Sequence, residues 1–250
     1  MEAQTISLNV HPQIIDLYEV LEKNGLHKQK EDVQSLVGYI ESMEYNLSVM
    51  MNEIQEMHTE VNRLHDKGIR AQCAKIVSKV EDKVQQAKTM ISVAKVKTIQ
   101  SAENAVKAFQ EKGKSALIHV VEAMRLPVAL SKIKDGFSHA AQSMRQSAGQ
   151  LDVIRGELHE VGGHMKNAGR VILGKPAKQT GTLEADKGAL AKLRSFVLSC
   201  GKAFSEMERD TALTVERING GRSSVKTELQ GLKAAQAGQR RQAASKEQTR

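Results

Sequence analysis

The sequence predicts an all-α protein in which long amphipathic helices with coiled-coil segments fold back as an elongated helical bundle, followed by a disordered basic C-terminal tail. Three observations carry that expectation. Only 3% of the 250 residues are aromatic and Trp is absent, so a thick globular core has few bulky side chains to draw on. The chain is rich in Ala, Lys, Gln, Glu, Met and Leu, which lose little freedom in a helix, and it lacks the alternating apolar pattern of strands. Just three prolines interrupt it, and apolar residues recur at helical intervals over most of its length.

Residues 1–26 hold one short helix. Pro12 suits a first helical turn, where a missing N–H costs nothing, and Asn24-Gly25 supplies a left-handed stop. Between them Ile14, Ile15, Leu17, Val20 and Leu21 make an apolar docking face. Residues 27–67 carry the strongest signal in the chain: Val33, Leu36, Ile40, Met43, Leu47, Met50, Ile54, Met57, Val61 and Leu64 follow one another in steps of three and four without a break. A 3.5-residue period belongs to a left-handed supercoil, and at 1.5 Å per residue the seam is about 48 Å long. Ten such side chains, each worth about 1.5–3 kcal/mol when buried, must meet a partner face. Their pattern leans toward a parallel dimer, while three methionines make the seam plastic enough for an internal helix to fill instead.

Residues 68–126 change period. Ile76, Val80, Val84, Ala87, Ile91, Lys95, Thr98, Ala102, Val106, Phe109, Gly113, Leu117, Val120, Met124 and Val128 follow steps of four, four and three, a repeat that keeps to one face of a straight or slightly right-handed helix. Lys75, Lys79, Lys83, Lys88, Lys97, Lys107, Lys112 and Lys114 flank or oppose that stripe. Such a face can lie on an anionic membrane surface with its lysines snorkelling to the headgroups, or pack on the chain's other helices.

Leu126-Pro127 ends this helix. Residues 127–173 form a weakly heptad stretch through Phe137, Ala141, Met144, Ala148 and Leu151, which slips one step and continues through Ile154, Leu158, Val161, Met165, Ala168 and Ile172. Its glycines at 149, 156, 162, 163 and 169 imply either close helix contact or mobility. Residues 174–182 read as a linker, and 183–218 as a final helix with Leu190, Leu193, Val197, Cys200, Phe204 and Met207 on one face. Residues 219–250 are poor in bulky apolar side chains, the composition of a disordered tail.

Several motifs invite a catalytic or ligand reading, and each fails on spacing. Gly169–Lys175 (GRVILGK) matches a phosphate-binding loop as far as its lysine, but Pro176 stands where Ser or Thr would bind magnesium and no strand precedes the glycine. His159 and His164 are five apart and diverge by about 140° around a helix. His58 and His65 share a face beside the seam without a third ligand, and read as solvated flanking residues. Cys73 and Cys200 stand in no metal-ligand spacing and read as small, reduced hydrophobes. With no arrangement of nucleophile, base and orienting group to be argued, the expectation is no enzyme, no metal and no cofactor.

The net charge of +8 is uneven: residues 1–70 carry 6 basic and 12 acidic side chains, residues 71–250 carry 31 and 17. An acidic partner would meet the later part. Arg240, Arg241 and Lys246 in the tail support non-specific phosphate contact with nucleic acid and nothing sharper, because no groove-reading motif or stacking aromatic accompanies them. No leader and no apolar run near twenty residues is present, which predicts a cytoplasmic protein and leaves Asn46-Leu47-Ser48 a glycosylation sequon in form only.

The segments IRAQCAKIV from Ile69, AFQEKGKSAL from Ala108, GFSHAAQSM from Gly136, GGHMKNAGRVILGKPAK from Gly162 and LAKLRSFV from Leu190 resemble an uncharacterised family of helical proteins from Gram-positive gut bacteria, over about Pro12 to Val197. That resemblance implies an association with conjugative or other mobile elements, and it brings no catalytic residues. The expected function is a non-enzymatic interaction or scaffold protein pairing with itself or another helical protein through the 33–64 seam, an accessory factor of a mobile element. A peripheral binder of anionic membrane surfaces and a non-specific nucleic-acid-binding accessory protein are the alternatives.

Overall fold

The computed structural model describes residues 7–124, 127–178 and 188–217, and every regular element among them is helical. A 3-10 turn at Leu8–Val10 precedes α1 (Pro12–Lys23), α2 (His27–Asn62), α3 (Lys67–Lys112), α4 (Lys114–Met124) and α5 (Pro127–Ile172). A sixth helix, α6, spans residues 189–217. The tail expected over 219–250 and the second half of the linker, residues 179–182, lie outside the described residues.

Local chemistry sets the boundaries. Pro12 opens α1, and Gly25 ends it with φ 67°. There the Leu26 N–H donates to the Leu21 carbonyl at 2.9 Å and the Gly25 N–H to the Glu22 carbonyl at 3.0 Å, while both leucines are buried. The Asp66 carboxylate accepts from the Ile69 N–H at 2.9 Å and caps α3. The single helix expected over 68–126 is instead broken at Gly113, whose φ of 76° and ψ of −166° suit only a residue without a β-carbon. α4 then packs against α3 and α2, with Lys114 Nζ donating to the Asn24 carbonyl at the end of α1 at 2.7 Å. The eleven-residue repeat holds from Ile76 to Ala102, all buried, and again at Leu117, after which α4 buries Val121 in place of the expected Val120, which is only partly buried.

Cross-helix contacts define the packing. On α2 and α3, Glu44 meets Lys95 and His58 meets Glu81, each pair at 2.8 Å. The two rungs are fourteen residues apart on both helices, so the pair is antiparallel without a slip. α5 runs antiparallel to α3, with Gly136 against Met90 at one level and Glu157 sharing a groove with Gln72 at another. α6 runs antiparallel to α5, from Arg194 on Asp152 to Phe204 against Phe137 with ring centroids 6.0 Å apart. It is antiparallel to α2 as well, from Lys192 near Glu60 to Thr211 on the Tyr39 hydroxyl.

The result is an up-down-up-down bundle of α2, α3, α5 and α6, each antiparallel to its two neighbours. The far end of α3, beyond the level of the start of α5, packs against α1 and α4. The core is one continuous cluster from Leu8 to Met207. Close approach falls at glycines other than those the spacing singled out. A β-carbon at Gly201 of α6 would sit 3.1 Å from Met144 Cβ, and one at Gly136 would collide with Met90 Cε. Gly149, Gly156, Gly162 and Gly169 have open space where a β-carbon would stand.

Candidate interaction surface at the free end of α5

The seam Val33, Leu36, Ile40, Met43, Leu47, Met50, Ile54, Met57, Val61 and Leu64 lies inside the chain. All but Met57 and Leu64 are buried, and those two are half-buried against the core. α3 and α6 of the same chain occupy the face on which a second chain was expected to pair. The partner of the strongest apolar face in the sequence is therefore internal, because the antiparallel hairpin brings the buried stripe of α3 onto it at far lower entropic cost than association.

The eight lysines are divided in the same way. Lys75, Lys88, Lys97, Lys107, Lys112 and Lys114 are exposed, Lys79 and Lys83 partly so. Lys107 pairs with Glu103 at 2.6 Å, and Lys114 is held on Asn24. The stripe between them, which an amphipathic surface binder would insert, is the core face of α3. Lys95, a member of that stripe, is buried and paired with Glu44.

The remaining motifs take structural roles. His58 is half-buried and hydrogen-bonded to Glu81 Oε2 rather than solvated, whereas His65 is exposed. The GRVILGK segment is the last turn of α5 and its stop: Gly174 has φ 67°, the Lys175 N–H donates to the Arg170 carbonyl at 2.9 Å, and the Gly174 N–H donates to the Val171 carbonyl at 2.9 Å. A helix C-terminus presents carbonyls and the negative end of the helix dipole, the wrong polarity for phosphate. Both cysteines are free and buried; burial, and then the Glu53 carboxylate, push the Cys200 thiol up to about 12. Among the described residues no group of three His, Cys, Asp or Glu is placed to hold a metal ion, and no helix is long and apolar enough to cross a membrane.

One apolar face is left uncovered by the described residues. Asp152 of α5 is level with Arg194 near the start of α6, and Glu157 is level with Gln72 near the start of α3. α5 nevertheless continues to Ile172, so its last three to four turns project past the ends of its neighbours. The stripe that is core at Leu151 and Ile154 continues along this projection as Leu158, Val161, Met165, Ala168 and Ile172. Leu158 is half-buried, but Val161 is 57% exposed, Met165 74%, Ile172 85% and the adjoining Leu173 72%. The described part of the returning chain, as far as Lys178, does not cover it. Asn167 exchanges hydrogen bonds with the Lys178 backbone and Arg170 Nε donates to the Pro176 carbonyl, and both side chains point away from the stripe by helical spacing. The spacing signalled this stripe; its exposure depended on where α3 and α6 begin.

The family model described as a family of unknown function, DUF6674, matches residues 10–250. No curated protein and no solved structure matches the chain.

Proposed function

We propose, for a chain that belongs to DUF6674, a family of unknown function, that it is a non-enzymatic helical scaffold that pairs with a second copy of itself through the free end of α5. The observation that carries this reading is the three-and-four spacing of Val161, Met165, Ala168 and Ile172 on a helix that has outrun its own bundle. Pairing two such stripes, with Leu173 and Val171 at their tips, would bury on the order of 1,200 Å², the lower end of the range for stable interfaces. A reversible, concentration-dependent dimer is the expected outcome.

An antiparallel orientation is the reading that the packing of α5 favours. Below Ile154 the same face of α5 is buried and packs with α3 and α6, so a parallel partner would have to occupy their volume. Only an antiparallel pair, each free end lying across the top of the other bundle, brings the stripes together without collision. Such a contact is isologous and closes as a two-fold dimer. Gly162 and Gly169, beside the stripe with open space around them, let the backbones approach.

Molar mass by light scattering, at two concentrations a hundredfold apart, tests the proposal. A mass that rises toward that of the dimer with concentration, and stays monomeric in Met165→Asp, is the expected result. A monomer at both concentrations, or a dimer indifferent to Met165→Asp and Ile172→Asp, overturns it. Because both side chains are exposed in the monomer, the variants should fold normally and the readout is free of stability effects.

A further inference from the structure

A second surface lies on another side of the bundle. Between α2 and α6 runs an open groove, two connected depressions of about 310 and 680 Å³ that share Glu53 and Ser199 as lining residues. It exists because α6 turns Ser195, Ser199 and Ala203 toward α2, where longer side chains would fill the space. The floor is apolar and partly methionine, with Met50 and Met57 from α2 and Phe196 from α6, a surface that adapts to what it meets. From Asn46 to Glu60 the groove follows α2 for about 21 Å, the length of four turns of a further helix.

The wall on the α2 side is acidic, since residues 31–62 hold seven Asp or Glu and no Lys or Arg. Most carboxylates around the groove are engaged: Glu60 by Arg63 and Lys192, and on α6 Glu206 and Asp210 by Lys202 and Arg209 at 3.8 and 3.9 Å. Glu53 and Glu56 have no basic partner among the described residues. Glu53 is half-buried, and after burial itself its charge is what raises the Cys200 thiol on the floor. Solvent screens such a carboxylate less than an exposed one, so it gains more from a cation. We infer that the groove receives an amphipathic helix of a partner protein, with apolar side chains at steps of three and four on the methionine floor and two Lys or Arg, one turn apart, on Glu53 and Glu56. The hydroxyl and methyl groups of the α6 wall ask for small, uncharged residues along the other edge, so this helix is basic on one side and not all round. Tyr45, 70% exposed at the lower mouth, offers its ring face to a further cation. The groove is separate from the free end of α5.

Two synthetic amphipathic helices, each with one Trp, test the inference against the dilute full chain, which has no Trp of its own. Both carry the same stripe of Leu; one has Arg and the other Glu along a single edge. Trp emission of the Arg helix should shift to the blue on binding, and its affinity should exceed that of the Glu helix about tenfold. That affinity should fall about tenfold in E53Q/E56Q, and binding should be lost in Ser199→Phe, which fills the groove without touching a charge. Circular dichroism should be unchanged in both variants, because none of the three side chains is in the core. Absence of binding, equal binding of the two helices, or binding that survives Ser199→Phe or E53Q/E56Q overturns the inference. So does a dimer of the chain that forms without peptide and is lost in Ser199→Phe, because the occupant is then a second copy.

Discussion

Lys95 Nζ lies 2.8 Å from Glu44 Oε2, with the lysine side chain 7% exposed and the glutamate 34%. This pair sits where the repeat on α3 calls for an apolar residue, and it joins the two helices that carry the longest buried stripes. A cation held in that position is costly unless matched, so its carboxylate partner matters more than a surface ion pair would.

Removing one partner should therefore hurt more than removing the charge altogether. Glu44→Ala is expected to destabilise the fold by about 1–2 kcal/mol, less than for a fully buried pair because Glu44 is partly solvated. Lys95→Met, which restores the apolar stripe, should be neutral or stabilising. Urea midpoints of the two variants decide it, and equal losses would show that the pair acts as an ordinary surface bridge.

Leu47 and Met165 occupy equivalent stripe positions with opposite exposure, Leu47 fully buried and Met165 74% exposed. Leu47→Asp should abolish most of the helical circular dichroism, since burying a carboxylate there costs more than about 4 kcal/mol. Met165→Asp should leave the spectrum intact. Thiol reactivity gives a second reading: Cys200, buried in the same core, should stay unreactive in Met165→Asp and become reactive in Leu47→Asp.

The helical glycines should divide by environment. Gly149→Ala, with open space around the new β-carbon, should stabilise by about 0.5–1 kcal/mol. Gly201→Leu has to displace Met144, whose Cβ lies 3.1 Å from the added carbon, and should cost about 1–3 kcal/mol. Thermal midpoints moving in opposite directions would confirm the close α5–α6 approach at Gly201.

Acid should release the N-terminal turn first. Burial pushes the Glu41 carboxyl up, but hydrogen bonds from the Ser7 hydroxyl and the Asn9 backbone and side chain, together with the nearby Lys95 charge, outweigh it and leave the group below its ordinary value. A depressed folded value means that the stabilisation is complete above the usual carboxylate range near pH 4 and is lost as pH falls through the folded value. The protection factor of the Asn9 amide, its exchange corrected for the intrinsic pH dependence, should fall across that window in the natural chain. In Glu41→Gln it should already be low at neutral pH and flat below it.

Much of the fold was legible because helical burial leaves a local trace. The α1 stop at Gly25, the unbroken stripe on α2, the change of period on α3 and the apolar face of α6 each depend on residues close in sequence, and each is found where the spacing puts it. The break at Gly113 was not legible, since the residues on either side continue a helical pattern and one glycine in a helix costs only about 1 kcal/mol. His58 was misread for a related reason: Glu81, its partner, is 23 residues away on another helix.

The candidate interaction surface shows where local pattern stops being informative. Leu151, Ile154, Val161 and Met165 have the same chemistry in the same kind of spacing, yet the first two are core and the last two are exposed. The sequence by itself determined which residues form helices, which face of each is apolar and where most of them stop. Only the tertiary structure decided which stripe faces which, that the α2 seam is satisfied from within, and that α5 outlasts its neighbours. The physical reason is that burial of apolar surface is non-directional, so a stripe specifies the need for a partner and leaves the partner's identity to chain connectivity and the relative lengths of the helices.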